Sequence, residues 1–211
     1  MTPSSICVFC GARTGRNPAH ATAARAFGAA IARQGWRLVY GAGDIGLMGE
    51  VARAAQTAGA RTLGVIPSHL MGAENGKRDL TTLVVTETMH ERKKVMFVNS
   101  DAIVVLPGGA GSLDEFFEML TWAQIGLHRK PIFLLDVGGY WGPLLALLDH
   151  VIAEGFADPG LRALFGVAGD VPTLSAALES ALAQVAARYG ADSIDLGRMP
   201  AGAPRRRRTR L

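Results

Sequence analysis

An α/β fold is predicted: a Rossmann-like, doubly wound parallel sheet with helices on both faces, forming a single domain. Three observations predict it. Strand-like and helix-like segments alternate along all but the end of the 211 residues, the pattern of a parallel sheet with crossover helices. Strands such as Ala102–Leu106 and Ile132–Leu135 are continuously apolar, which implies burial on both faces. No internal repeat or linker interrupts the pattern, and the length suits one domain with a substantial core.

The elements follow in order. Ser5–Cys10 reads as the first strand, and Pro18–Gln34, alanine-rich and amphipathic, as the first helix. Arg37–Tyr40 is the second strand and Leu47–Ala58 the second helix. Arg61–Ile66 is a third strand, stopped by Pro67. After the polar stretch Gly72–Asp79 comes Thr82–Thr86, rich in β-branched residues. A helix over Thr88–Val98 precedes the strand Ala102–Leu106. Ser112–Ile125 is helical, Pro131–Leu135 a strand, and Tyr140–Ala153 a helix. A short strand near Val167 and a helix over Leu174–Tyr189 complete a domain spanning residues 1–189. From Gly190 onward, glycine, proline and arginine predict a disordered tail.

Composition narrows the function classes. Apolar residues are 49% and charged residues 19% of the chain, ordinary for a globular protein. No apolar run approaches the ~18 residues of a membrane helix, and the N-terminus lacks the flanks of a secretory signal. A cytoplasmic protein without membrane attachment is expected. The net charge of +4 would suggest a nucleic-acid partner, but its position argues otherwise. Arg205, Arg206, Arg207, Arg208 and Arg210 all lie in the last seven residues. Setting those five aside from the 22 basic residues leaves 17 against 18 acidic ones. The body carries no broad basic face, so nucleic-acid binding is not expected. The only cysteines, Cys7 and Cys10, lie three apart within a strand and point to opposite faces. With no second pair to complete a zinc site, two buried structural thiols are expected.

In a doubly wound sheet, ligands bind at the carboxyl ends of the strands. The chemistry should therefore lie in the loops Gly11–Gly15, Gly41–Gly46, Pro67–Asp79, Glu87–Arg92 and Pro107–Gly111. The segment GAGDIG (41–46) has the G-x-G-x-x-G spacing of a dinucleotide turn. Its context is wrong for that role. It follows the second strand, and the next strand ends in Pro67-Ser68-His69, without the acid that would hold an adenosine ribose. Gly41 and Gly43 are then either a tight turn or a backbone cradle for one phosphate.

The loop PGGAGSLDE (107–115) is more specific. Gly108, Gly109 and Gly111 let backbone N–H groups turn toward an anion, with Ala110 between them and the Ser112 hydroxyl as a further donor. Ser112 and Glu115 also spell S-x-x-E, a capping box. Glu115 either ties down the helix start or stands beside a phosphate cradle, where a carboxylate can hold sugar hydroxyls or stabilise positive charge. In TMHERKKVM (88–96), Met89 shares a helix face with Arg92, Lys93 and Met96. The two cations form either a solvated charge run or a set of ligands for an anion. The five histidines are scattered, so no metal centre is expected, and no G-x-S-x-G elbow supports acyl transfer.

Taken together, GAGDIGLMG, TMHERK, PGGAGSLDE and LTWAQIGLHRKP, in this order and spacing, resemble the LOG family. Its members are cytokinin riboside 5′-monophosphate phosphoribohydrolases, often mislabelled lysine decarboxylases. The similarity runs from ICVFCG to about GFADP. It implies a Rossmann-like fold and a homodimer or larger assembly. The implied reaction needs no metal or redox cofactor: an adenine-type base is released from a nucleoside 5′-monophosphate substrate. Carried over, the catalytic pair is Arg92 and Glu115. Substrate contacts fall on Glu74, Met89, Lys93, Gly109–Ser112 and Thr121.

The chain departs from the family pattern in several places. Ala12 and Arg13 replace the serines of C-G-S-S, Ala42 the middle glycine of G-G-G, Ser112 a common threonine and Lys77 a histidine. These bear on phosphate grip and base preference and leave Arg92 and Glu115 untouched. The rival readings are a non-catalytic nucleotide carrier, an NAD(P)-dependent oxidoreductase built on GAGDIG, and a pyridoxal-phosphate decarboxylase.

Overall fold

The computed structural model describes residues 3–72 and 76–195. Seven strands form one sheet: β1 Ser5–Phe9, β2 Arg37–Tyr40, β3 Thr62–Pro67, β4 Thr82–Thr86, β5 Ala102–Val105, β6 Ile132–Leu135 and β7 Gly166–Ala168. All pairs are parallel, in the order β4-β3-β2-β1-β5-β6-β7. Among the described residues five α-helices lie between strands, α1 Pro18–Arg33, α2 Gly46–Thr57, α3 Met89–Val98, α4 Ala110–Gln124 and α5 Gly142–Ala153, and α6 Val171–Asp195 follows β7. The predicted doubly wound sheet is observed, with most boundaries shifted by one or two residues.

Alternation along the strands makes two cores. Ile6, Val8, Leu38, Tyr40 and Val104 face one side and pack with Phe27, Ile31, Val51 and Leu174 of α1, α2 and α6. Cys7, Phe9, Val39, Val65, Ile103 and Val105 face the other and pack with Met96, Phe116, Met119 and Leu148 of α3, α4 and α5. A strand covered on both faces has no polar face to keep, hence its unbroken apolar sequence. The edge strand β4 differs: Val85 is exposed. Cys7 and Cys10 are both buried and sit in opposite cores, as their spacing requires.

Helix starts bring two corrections. α4 begins at Ala110, with Gly109 as its cap residue and no side-chain cap, so Ser112 and Glu115 do not form a capping box. Glycine at Gly109 takes the extended cap conformation without a side chain, and the helix begins two residues before Ser112. The capping box instead starts α3. The Thr88 hydroxyl accepts from Glu91 N–H at 3.2 Å, and the Glu91 carboxylate accepts from Thr88 N–H at 3.2 Å. The helix predicted to stop at Tyr189 runs on to Asp195. Residues 196–211 of the predicted tail lie outside the described residues.

Candidate active site

Chain order reverses between β1 and β5, and such a switch point splays the two following loops apart into a crevice. A cavity of about 500 Å³ opens there, floored by Val8, Phe9 and Cys10 at the end of β1, a size that suits a small-molecule ligand.

Its walls come from both halves of the sheet. From the β2–β4 half come Gly41, Leu47, Met48, Leu70, Met89 and Arg92, most of them apolar. From the β5–β6 half come Pro107, Gly108, Gly109, Gly111, Ser112, Glu115 and Tyr140. The loop after β1 fills the middle with Gly11–Gly15, and His20 of α1 stands behind it. One end is thus lined by thioethers and leucines, the other by backbone and hydroxyls at the start of α4. The first amides of α4 have no side-chain cap, so that helix start offers N–H donors and a positive dipole end to an anion.

Backbone contacts hold these loops together. Gly11 N–H donates to Pro107 O at 3.0 Å, and Leu47 N–H donates to Gly11 O at 2.9 Å. A Cβ on Gly108 would strike the Ser112 side chain. The left-handed Gly46, at φ 56°, presses on the Ala12–Arg13 backbone, where no side chain fits. The Leu47 N–H, just past the GAGDIG turn, is committed to Gly11 and braces the loop after β1. Gly41 lines the cavity, whereas Gly43 is buried outside it.

Arg92 is a buried cation, 4% exposed. Its Nη2 donates to the Gly41 carbonyl at 2.9 Å and lies 3.9 Å from the Met48 sulfur, while Nη1 lies 3.8 Å from the Met89 sulfur. A Cβ on Gly41 would collide with that guanidinium. Glu115, also buried, lines the same cavity from α4. Beneath them, burial pushes the Cys7 thiol well above its usual pKa. The Glu115 carboxylate adds to the rise, against Lys130 and Arg92. Cys7 is therefore a poor nucleophile.

The solvated-run reading of the two cations does not survive: both Arg92 and Lys93 are buried. They separate in role, however. Lys93 turns away from the cavity and pairs with Asp114 and Glu118 of α4, each at 2.9 Å. Burial alone would depress its pKa, but Glu118 and Asp114 outweigh that and hold it raised. Met89, Gly108, Gly109, Gly111 and Ser112 line the cavity; Ala110 and Thr121 are exposed outside its lining. Glu74 lies outside the described residues. Arg13, Thr14, His20 and Tyr140 also line the cavity. The loop holding Arg13 and Thr14 was foreseen, but nothing near His20 or Tyr140 in sequence marked them.

Two cofactor chemistries find no matching residues. A pyridoxal Schiff base needs a lysine at the site. Among the described residues none lines the cavity: Lys93 is held charged, and Lys130 is spent on the Ser100 and Phe97 carbonyls. For a dinucleotide, the described residues that directly follow β3 form the short helical turn Ser68–Leu70, which carries no acid to hold the ribose. Among the described residues no group of three or more His, Cys, Asp or Glu is placed to hold a metal ion. No described helix is long and apolar enough to cross a membrane.

A family model described as "Possible lysine decarboxylase" matches residues 48–178. A cytokinin riboside 5′-monophosphate phosphoribohydrolase of Rhodococcoides fascians is 44% identical over 180 residues, covering 85% of this chain and 91% of that protein. One from Arabidopsis thaliana is 41% identical over 174 residues, covering 82% and 80%. Among solved structures, a molybdenum cofactor binding protein of Rippkaea orientalis superposes with a TM-score of 0.67 at 22% identity, covering 85% and 98%. The Moco carrier protein of Chlamydomonas reinhardtii gives 0.66 at 25%, covering 87% and 99%. On the strength of the family model and these relatives, the chain belongs to the LOG family, the family of the cytokinin riboside 5′-monophosphate phosphoribohydrolases.

Proposed function

We propose that this protein hydrolyses the N-glycosidic bond of adenine-type nucleoside 5′-monophosphates, N6-modified ones included, releasing the free base and ribose 5-phosphate. The observation that carries the reading is one cavity holding a buried carboxylate, a buried guanidinium and an uncapped helix start. The names of the relatives support the same reaction.

In this reading the substrate lies across the switch point. The base rests among Met48, Leu70 and Met89, and the phosphate meets the first turn of α4 from Gly109 to Ser112. The C1′–N bond breaks with its electron pair leaving on the base. Positive charge develops on the ribose, water adds its oxygen to C1′, and one water proton ends on the base. Glu115 stabilises that charge and orients the water or the ribose hydroxyls. Arg92, steadied by the Gly41 carbonyl, fixes the substrate and assists departure of the base. Lys93 braces α3 against α4, so that Arg92 and Glu115 face one volume. Exposed Val98, Ile125 and Leu127 offer an apolar surface for a homodimer, and a cytoplasmic location suits a metabolic nucleotide as substrate.

Incubation with AMP and with isopentenyladenosine monophosphate, followed by chromatography, should show free base from at least one. Absence of base from both, with nucleotide still bound, would favour the non-catalytic carrier, a reading the likeness to the Chlamydomonas carrier protein keeps alive.

A further inference from the structure

His20 is 8% exposed and lines the cavity, yet its Nδ1 finds no hydrogen-bond partner among the described residues. A buried polar atom left without a partner costs free energy, and one carried by a residue that lines a ligand cavity invites a ligand partner. The ring is not loosely placed. It packs edge-on against Tyr140 with centroids 5.3 Å apart, and the Tyr140 hydroxyl donates to the Gly108 carbonyl at 2.6 Å. Gly15, at φ 75°, stands close enough that a Cβ there would lie 3.2 Å from the His20 ring. His20 is therefore clamped between the β1 loop and the glycine loop that starts α4.

Topology says which part of the substrate it meets. Gly108 and Tyr140 follow β5 and β6, in the half of the cavity lined by backbone and the α4 start, away from the thioethers. His20 itself sits in the first turn of α1, whose cap Asn17 accepts from Ala19 N–H at 3.0 Å. Two helix starts converge at this end of the cavity, which favours negative charge.

We propose that His20 is a further substrate-binding residue of this site, donating a hydrogen bond from Nδ1 to a 5′-phosphate oxygen, with Tyr140 as the residue that positions it. This deepens the reading above and rests on it. The base and the ribose hydroxyls are left to other groups, so loss of His20 should be felt only by ligands that carry the phosphate.

Calorimetric titration with ribose 5-phosphate and with adenosine separates the outcomes. His20→Ala and His20→Phe should weaken ribose 5-phosphate binding about tenfold or more, the scale of one hydrogen bond to a charged group. Adenosine binding should stay within about twofold. Phenylalanine keeps the edge-on packing on Tyr140, so a loss shared by both variants is not a folding effect. His20→Asn, which can place an amide N–H near the old Nδ1, should recover part of the affinity. Tyr140→Phe should show a smaller loss with the same selectivity. Unchanged ribose 5-phosphate binding in His20→Ala, or an equal loss for adenosine, overturns the assignment of His20 alone. Wild-type protein that binds adenosine but not ribose 5-phosphate overturns the phosphate end and the proposed function with it.

Discussion

Arg92 reaches across 51 positions of sequence to donate Nη2 to the Gly41 carbonyl at 2.9 Å. One hydrogen bond thus joins the loop after β2 to the first turn of α3. It turns a glycine-rich turn with dinucleotide spacing into the rest for a buried guanidinium.

Gly41 is needed for its lack of a side chain, because a methyl there would occupy the space of the guanidinium. Gly41→Ala should cost about 10² in kcat/KM for AMP, the scale of displacing a catalytic group by about 1 Å. Circular dichroism should remain native. Adenine release at the wild-type rate would show that Arg92 does not need this support.

Glu115 is assigned the charge developing on the ribose. Glu115→Gln keeps size and removes charge, so kcat should fall about 10² or more, with a melting temperature within a few degrees of wild type. Full turnover in that variant would sink the assignment.

Lys93 is a brace on this account. Lys93→Met leaves Asp114 and Glu118 unpartnered and should cost about 1–3 kcal/mol of stability, while KM for AMP changes less than about threefold. A large rise in KM would restore Lys93 to the substrate contacts. The pH dependence has a definite sign. Because the folded-state pKa is raised above 10.5, the stabilisation is fully present below that pH. It is lost only as pH rises through the folded value. The stability gap between wild type and Lys93→Met should therefore stay level from pH 7 to 9 and close only above the ordinary lysine range.

Ala42 adopts φ 59°, a left-handed conformation that a Cβ makes costly. Ala42→Gly should stabilise the protein by about 1 kcal/mol, raising the melting temperature about 2–4 °C. A lower melting temperature would mean that the methyl group's packing beside Gly64 outweighs the backbone strain.

Much of the fold was legible because its causes are local. The apolar strands, the proline that is the last residue of β3 and the glycine turns each declare themselves within a few residues. Legibility failed where two local signals were equivalent. Thr88-x-x-Glu91 and Ser112-x-x-Glu115 spell the same capping box, yet only the first is one, because Gly109 lets α4 start early. It failed again at Arg92 and Lys93, neighbours that spacing alone assigns to one task. α4 packs beside α3 and claims Lys93 through Asp114 and Glu118, leaving Arg92 to the cavity. His20 and Tyr140 left no signal, since 120 residues of chain separate two rings that touch.

Hydrophobic period and turn chemistry act over a few residues, so sequence by itself determined a buried parallel sheet, loops at its carboxyl edge and the residue types those loops carry. Strand order was decided only by the tertiary structure, because it depends on which helices cover which face. That order sets the reversal between β1 and β5, and the reversal decides which loops meet. From it follow the guanidinium on Gly41, the carboxylate facing the same cavity and the imidazole held beneath Tyr140.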